Sequence, residues 1–132
     1  MADSKKTILV VDDEKNIQLL FKDEISESGY DVITAGSGEE ALKLFKQHKP
    51  SLVLLDLKMP GIHGVTALEK IRELDKNVPV IIVTAHGAGR PVQKSQTEHA
   101  IKEKKLEIVE YVTKPVDLDD LVAKIKDTIG PP

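Results

Sequence analysis

The chain has 132 residues, enough for one domain and too few for a second of ordinary size. Apolar residues at 40% allow a real core, and a net charge of −3 argues against a general grip on nucleic acid or anionic membrane. Cysteine is absent, which removes disulfides, thiolate metal sites and cysteine nucleophiles.

The opening residues, Met1 to Lys6, hold no apolar signal core, and no apolar run is long enough to span a bilayer. A soluble, cytoplasmic protein is the expectation. Thr7 to Val11 is a β-branched run closed by Asp12 and Asp13, and reads as a buried strand. From Glu14 to Ser28 the residues Ile17, Leu20, Phe21 and Ile25 fall at helical spacing, and Gly29 supplies the stop. Asp31 to Ala35 is a second strand. Ser37 and Glu40 form a capping-box pattern, so a second helix starts there and turns Ala41, Leu42 and Phe45 inward before Pro50.

Leu52 to Leu55 is a continuous apolar strand ending on Asp56, and Met59-Pro60-Gly61 is a turn. A third helix runs from about Val65 to Asp75, with Leu68, Ile71 and Leu74 on one face. Val78 to Val83 is a fourth strand, with Pro79 confining pairing at its start. His86 to Pro91 reads as a loop, and Gln93 to Lys105 is polar with weak helical patterning. Ile108 to Val112 is a fifth strand. Asp117 caps a last helix whose core face is Leu118, Leu121, Val122, Ile125 and Ile129, and Gly130 ends it.

Strand and helix thus alternate five times. That order implies an α/β fold, a parallel sheet with helices on both faces, and strands that are apolar throughout because both faces are covered. In such sheets ligands bind outside the carboxyl ends of the strands. The residues placed there are Asp12, Asp13 and Glu14 after strand one, Asp56 at the end of strand three, Thr84 at the end of strand four, and Thr113, Lys114 and Pro115 after strand five. Singly, each has a plainer role as a turn, cap or surface residue. Together, clustered carboxylates repel one another unless a cation joins them, and oxygen ligands suit Mg²⁺. Two chemistries remain open at this point. A carboxylate can act as a nucleophile and become an acyl phosphate, or the metal can bind a phosphorylated ligand. No nucleotide-binding glycine loop follows strand one.

Four motifs in order, Val10-Val11-Asp12-Asp13-Glu14, Leu54-Leu55-Asp56-Leu57-Lys58-Met59-Pro60-Gly61 with Gly64, Val83-Thr84-Ala85 and Tyr111-Val112-Thr113-Lys114-Pro115, resemble the receiver domain of two-component response regulators. The likeness covers about Lys6 to Ile129 within a single domain of residues 1–132. It implies a (βα)5 doubly wound, flavodoxin-like sheet of strand order 2-1-3-4-5. It implies that Asp56 accepts a phosphoryl group from a histidine kinase phosphohistidine. Asp12, Asp13, Asp56 and the backbone carbonyl of Lys58 would hold Mg²⁺, with Mn²⁺ as the alternative ion. Lys114 would pair with the phosphoryl oxygens, Thr84 would hydrogen-bond one of them, and Tyr111 would be the aromatic switch. The Lys114–Pro115 peptide would be cis. Expected partners are a sensor histidine kinase or phosphotransfer protein and a downstream partner or output domain, with no direct nucleic-acid or membrane binding by this chain.

One departure stands out. Lys114 stands 30 positions after Thr84. That is about eight more than the resemblance implies, an extension whose loop-closure entropy alone is modest. The excess falls between Gly87 and Glu107, and too few apolar residues there anchor a helix, so this region is expected to be extended, atypical and loosely held. Two other classes are disfavoured. A phosphatase using an aspartyl phosphate would want a carboxylate where Lys58 stands. A flavin carrier would want hydroxyls where Asp-Asp-Glu follows strand one. The chain reads either as free-standing or as the amino-terminal part of a longer regulator.

Overall fold

The computed structural model describes residues 6–56, 64–85, 108–114 and 116–132. Five strands, β1 (Thr7–Val11), β2 (Asp31–Ala35), β3 (Leu52–Asp56), β4 (Val80–Ala85) and β5 (Glu110–Lys114), form one parallel sheet. Strands β1 to β4 take the expected 2-1-3-4 order, and β5 lies against β4. Among the described residues the helices are α1 (Lys15–Glu27), α2 (Gly38–His48), α3 (Gly64–Leu74) and α4 (Leu118–Ile129). The expected loop and weak helix between residues 86 and 107, with the extension they contain, lie outside the described residues.

Alternation along the strands divides the core in two. Leu9, Val11, Val53, Leu55, Val80 and Ile82 pack with Ala41 and Phe45 of α2 and Ala67, Leu68 and Ile71 of α3. Their neighbours Ile8, Val10, Leu52, Leu54, Ile81 and Val83 pack on the other face with Phe21 and Ile25 of α1 and Leu121 and Ile125 of α4. Both faces are covered, so the strands need no polar side. Each fully buried Leu or Ile contributes about 1.5–3 kcal/mol.

The helices begin as their caps dictate. Ser37 Oγ accepts from Glu40 N–H at 3.1 Å. The returning Glu40 carboxylate reaches the N–H of Gly36 at 2.7 Å, one residue before the cap. Asp117 caps α4 by accepting from Asp120 N–H at 3.2 Å.

Several expectations are corrected. β4 starts and ends two residues later than the apolar run suggests. Pro79 has no N–H to give, yet its carbonyl accepts from Val53 N–H at 3.0 Å. β5 is displaced likewise, to Glu110–Lys114. Lys114 therefore lies within β5 and not after it, and β4 runs one residue past Thr84. Leu20 is 48% exposed and Leu74 45% exposed, each at the margin of its helix stripe and not in the core.

At the amino edge of the sheet the last turn of α4 is tied down. Lys6 Nζ donates to the carbonyls of Ile129 at 2.5 Å and Pro131 at 2.9 Å. The Tyr30 hydroxyl donates to Gly130 O at 2.6 Å. A cation meeting the carbonyl end of a helix is favourable. Pro132 comes so near Gly29 that a Cβ there would stand 2.8 Å from its ring. The φ of +107° at Gly29 also suits glycine alone.

Candidate functional site at the carboxyl edge

β1 and β3 run in register, Val10 beside Leu54 and Val11 beside Leu55. One more rung sets Asp12 next to Asp56. Adjacent strands lie about 4.8 Å apart, so the pairing itself brings the two carboxylates together. Asp12 is 1% and Asp56 3% exposed, while Asp13 is open to solvent. One carboxylate oxygen from each of Asp12, Asp13 and Asp56 lies within 4.8 Å of the others. Among the described residues this is the one such cluster of metal-ligating side chains.

Asp12 is fixed through its backbone and its side chain. Its N–H donates to Ala35 O at 3.0 Å, extending the ladder to β2 by one bond. Its Oδ1 accepts from Glu14 N–H at 2.9 Å, in place of a side-chain cap from Glu14 itself. Its carbonyl accepts from Gln18 Nε2 at 2.6 Å. The start of α1 thus turns a donor toward a carboxylate, which favours the negative charge.

Two carboxylates at such a separation repel by roughly 1 kcal/mol in water, and by several times that at a protein's lower effective dielectric. Three hard oxygen donors, two buried and one facing solvent, fit Mg²⁺, which binds through few carboxylates and keeps several waters. They do not fit a soft, thiolate-seeking metal.

Thr84, Tyr111 and Lys114 are described through their backbones. In the β4–β5 register Tyr111 stands opposite Ile82, Thr113 opposite Thr84 and Lys114 opposite Ala85. Asp56 stands opposite Val83 on the other side of β4. The structure therefore brings the backbones of Asp56, Thr84 and Lys114 to the same edge. Lys58 and Pro115 lie outside the described residues.

Gln18 is the residue that sequence reasoning missed. It is 7% exposed and hydrogen-bonded to the Asp12 peptide. The available signal was its spacing, three and seven residues before Phe21 and Ile25, which puts it on the buried stripe of α1.

A doubly wound parallel sheet with acidic side chains gathered at its carboxyl edge defines a flavodoxin-like α/β domain of the kind that binds ligands beyond its strand ends. The chain belongs to the response regulator receiver domain family, whose model matches residues 8–126. It is 34% identical over 119 residues to sporulation initiation phosphotransferase F of Bacillus subtilis, covering 90% of each chain. It is 37% identical over 125 residues to the probable transcriptional regulator ycf27 of Porphyridium aerugineum, covering 95% of this chain and 48% of that one. The chain thus spans about half the length of the ycf27 relatives it matches. Among solved structures it is similar to a CheY-like response regulator receiver domain protein from Methanospirillum hungatei. The TM-score is 0.83 at 29% identity, covering 96% of this chain and 94% of that one. Family membership carries a phospho-accepting signalling function of the two-component type. Among the described residues no helix is long and apolar enough to cross a membrane.

Proposed function

We propose that this chain is a cytoplasmic receiver switch that takes a phosphoryl group onto Asp56 from the phosphohistidine of a sensor kinase or phosphotransfer protein. The observation that carries the reading is the placement of Asp12 and Asp56 side by side, both buried, with Asp13 completing a set of oxygens within 4.8 Å.

In this reading Asp12, Asp13, Asp56 and the Lys58 carbonyl hold Mg²⁺, or Mn²⁺ in its place. Bound there, the ion would neutralise charge on the phosphoryl oxygens. A carboxylate oxygen of Asp56 forms the new O–P bond as the P–N bond breaks. The electron pair stays on the imidazole nitrogen, and because the other ring nitrogen carries a proton taken from solvent, the donor histidine leaves as neutral imidazole. Lys114 pairs with the phosphoryl oxygens as a compact charge, and Thr84 donates to one of them. Their nearness on β4 and β5 supports this pairing of roles. Tyr111, two rungs before the Thr113–Thr84 pair, is the aromatic that changes burial as Thr84 moves.

The chain is a single receiver domain with a core of about residues 6–129. It supports its own phosphoryl transfer and a slow dephosphorylation. Lys58 and His86, two residues beyond Asp56 and Thr84, carry neither a carboxylate nor an amide to orient water. The output is a downstream partner or a further domain, in keeping with relatives twice its length.

Incubation with acetyl phosphate and Mg²⁺ should add one phosphoryl group by intact mass, and Asp56→Asn should take none. An unlabelled wild-type chain, or a labelled Asp56→Asn chain, overturns the assignment.

A further inference from the structure

The buried polar side chains among the described residues are Asp12, Gln18 and Asp56. Two belong to the acidic cluster. The third reaches it from α1. Gln18 Nε2 donates to Asp12 O at 2.6 Å in a buried contact. Gln18 N–H donates to Glu14 O at 3.1 Å, and Glu14 N–H donates back to Asp12 Oδ1 at 2.9 Å. These bonds close a ring from the Asp12 carbonyl, through the first turn of α1, to the Asp12 carboxylate. β2 supports it from the far side, where Asp12 N–H meets Ala35 O at 3.0 Å. Gly36 lies beside this contact, and a Cβ there would stand 3.4 Å from Gln18 Nε2, at ordinary van der Waals distance.

The Asp12 carbonyl and the Asp13 N–H belong to one planar peptide. Gln18 grips that peptide by its oxygen. Asp12 has other restraints, whereas Asp13 is exposed to solvent. The direction of the Asp13 carboxylate depends on the peptide plane before it, and that plane is anchored by Gln18. An apolar side chain would suit the stripe shared with Phe21 and Ile25 equally well for packing, but it would leave the buried carbonyl without this donor.

We propose that Gln18 is a positioning residue for the cation site, setting the Asp12–Asp13 peptide and thereby the reach of Asp13. The inference rests on reading the cluster as the site of Mg²⁺ and phosphoryl binding. Residues that orient ligands at one remove typically change metal affinity about 10–100-fold when replaced.

The test is Gln18→Met, which keeps length and apolar bulk and removes the donor. Mg²⁺ titration by calorimetry should show binding weakened about 10-fold, the low end of that range. Phosphoryl uptake at limiting Mg²⁺ should fall in step and recover at high Mg²⁺. A lower metal-free melting temperature with an unchanged Mg²⁺ dissociation constant means a purely structural residue and overturns the proposal.

A second measurement needs no variant. In the wild-type chain the side-chain amide protons of Gln18 should shift with the same Mg²⁺ midpoint as the Asp13 backbone amide. Gln18 resonances that stay still while Asp13 moves also overturn it. A wild-type chain that binds no Mg²⁺ refutes the underlying site reading instead, so the two failures are told apart.

Discussion

At the amino edge of the sheet the Lys6 ammonium meets the carbonyls that α4 leaves over, and Tyr30 takes another. At the carboxyl edge, on the same strands, Asp12, Asp13 and Asp56 crowd carboxylate oxygens within 4.8 Å of each other. The first arrangement joins complementary groups within the chain. The second gathers like charges and suits a cation from outside. Stability and responsiveness are thus placed at opposite ends of β1, and one can be altered with little effect on the other.

The comparison is broken most severely at the carboxyl edge. Mg²⁺ at a hundredfold excess over its dissociation constant should stabilise the wild-type chain by about 2.7 kcal/mol. Asp13→Ala should remove nearly all of that gain, while Glu14→Ala should keep it. Melting curves across a Mg²⁺ series decide this, and equal losses in the two variants would contradict the role given to Asp13.

Lys6→Met should act in the opposite sense. One part-buried and one exposed charge-assisted bond are lost, at a cost of about 1–2 kcal/mol, with Mg²⁺ affinity unchanged. Denaturant melts with and without Mg²⁺ separate the two effects.

Tyr30→Phe should cost about 1 kcal/mol through the lost bond to Gly130 O. It should also change the alkaline limb. Burial raises the Tyr30 phenol above its ordinary value of 10.0. The native state therefore keeps a proton that the unfolded chain releases. The contribution is full below about pH 10 and is lost as pH climbs through the raised native value. A pH series of melts should show that slope in the wild-type chain and not in Tyr30→Phe.

The smallest effect sharpens the contrast by standing outside both edges. Leu20→Gln, at a half-exposed position, should change stability by no more than about 0.5 kcal/mol. A larger loss in the same melts would return Leu20 to the core.

The strands were legible because burial on both faces leaves uninterrupted apolar runs, and the acidic edge was legible because Asp12 and Asp56 end two of them. Leu20 and Leu74 were misjudged for a geometric reason. Helical spacing marks a stripe, but how wide a stripe is covered depends on the neighbouring elements. The β4 and β5 ends slipped because apolar content marks where a strand is buried, whereas hydrogen bonding extends to Thr84, Ala85, Thr113 and Lys114. Spacing puts Gln18 on the buried stripe of α1, but its role was not legible, for a third reason. Its partner is a main-chain carbonyl, and composition carries no trace of which carbonyl a helix will meet.

The Lys6 clamp has a topological consequence. A side chain from the start of β1 holds carbonyls 123 and 125 positions away, which leaves the two ends of the fold almost touching. From Lys6 to Pro132 the fold is close to a closed ring. A circular permutant joining Pro132 to Lys6 through a few glycines, and opened at the exposed Lys76-Asn77 corner, would need no strand to move. The tie that Lys6 now makes by hydrogen bonds would become covalent, and the order of synthesis would change while the order of the sheet stayed the same.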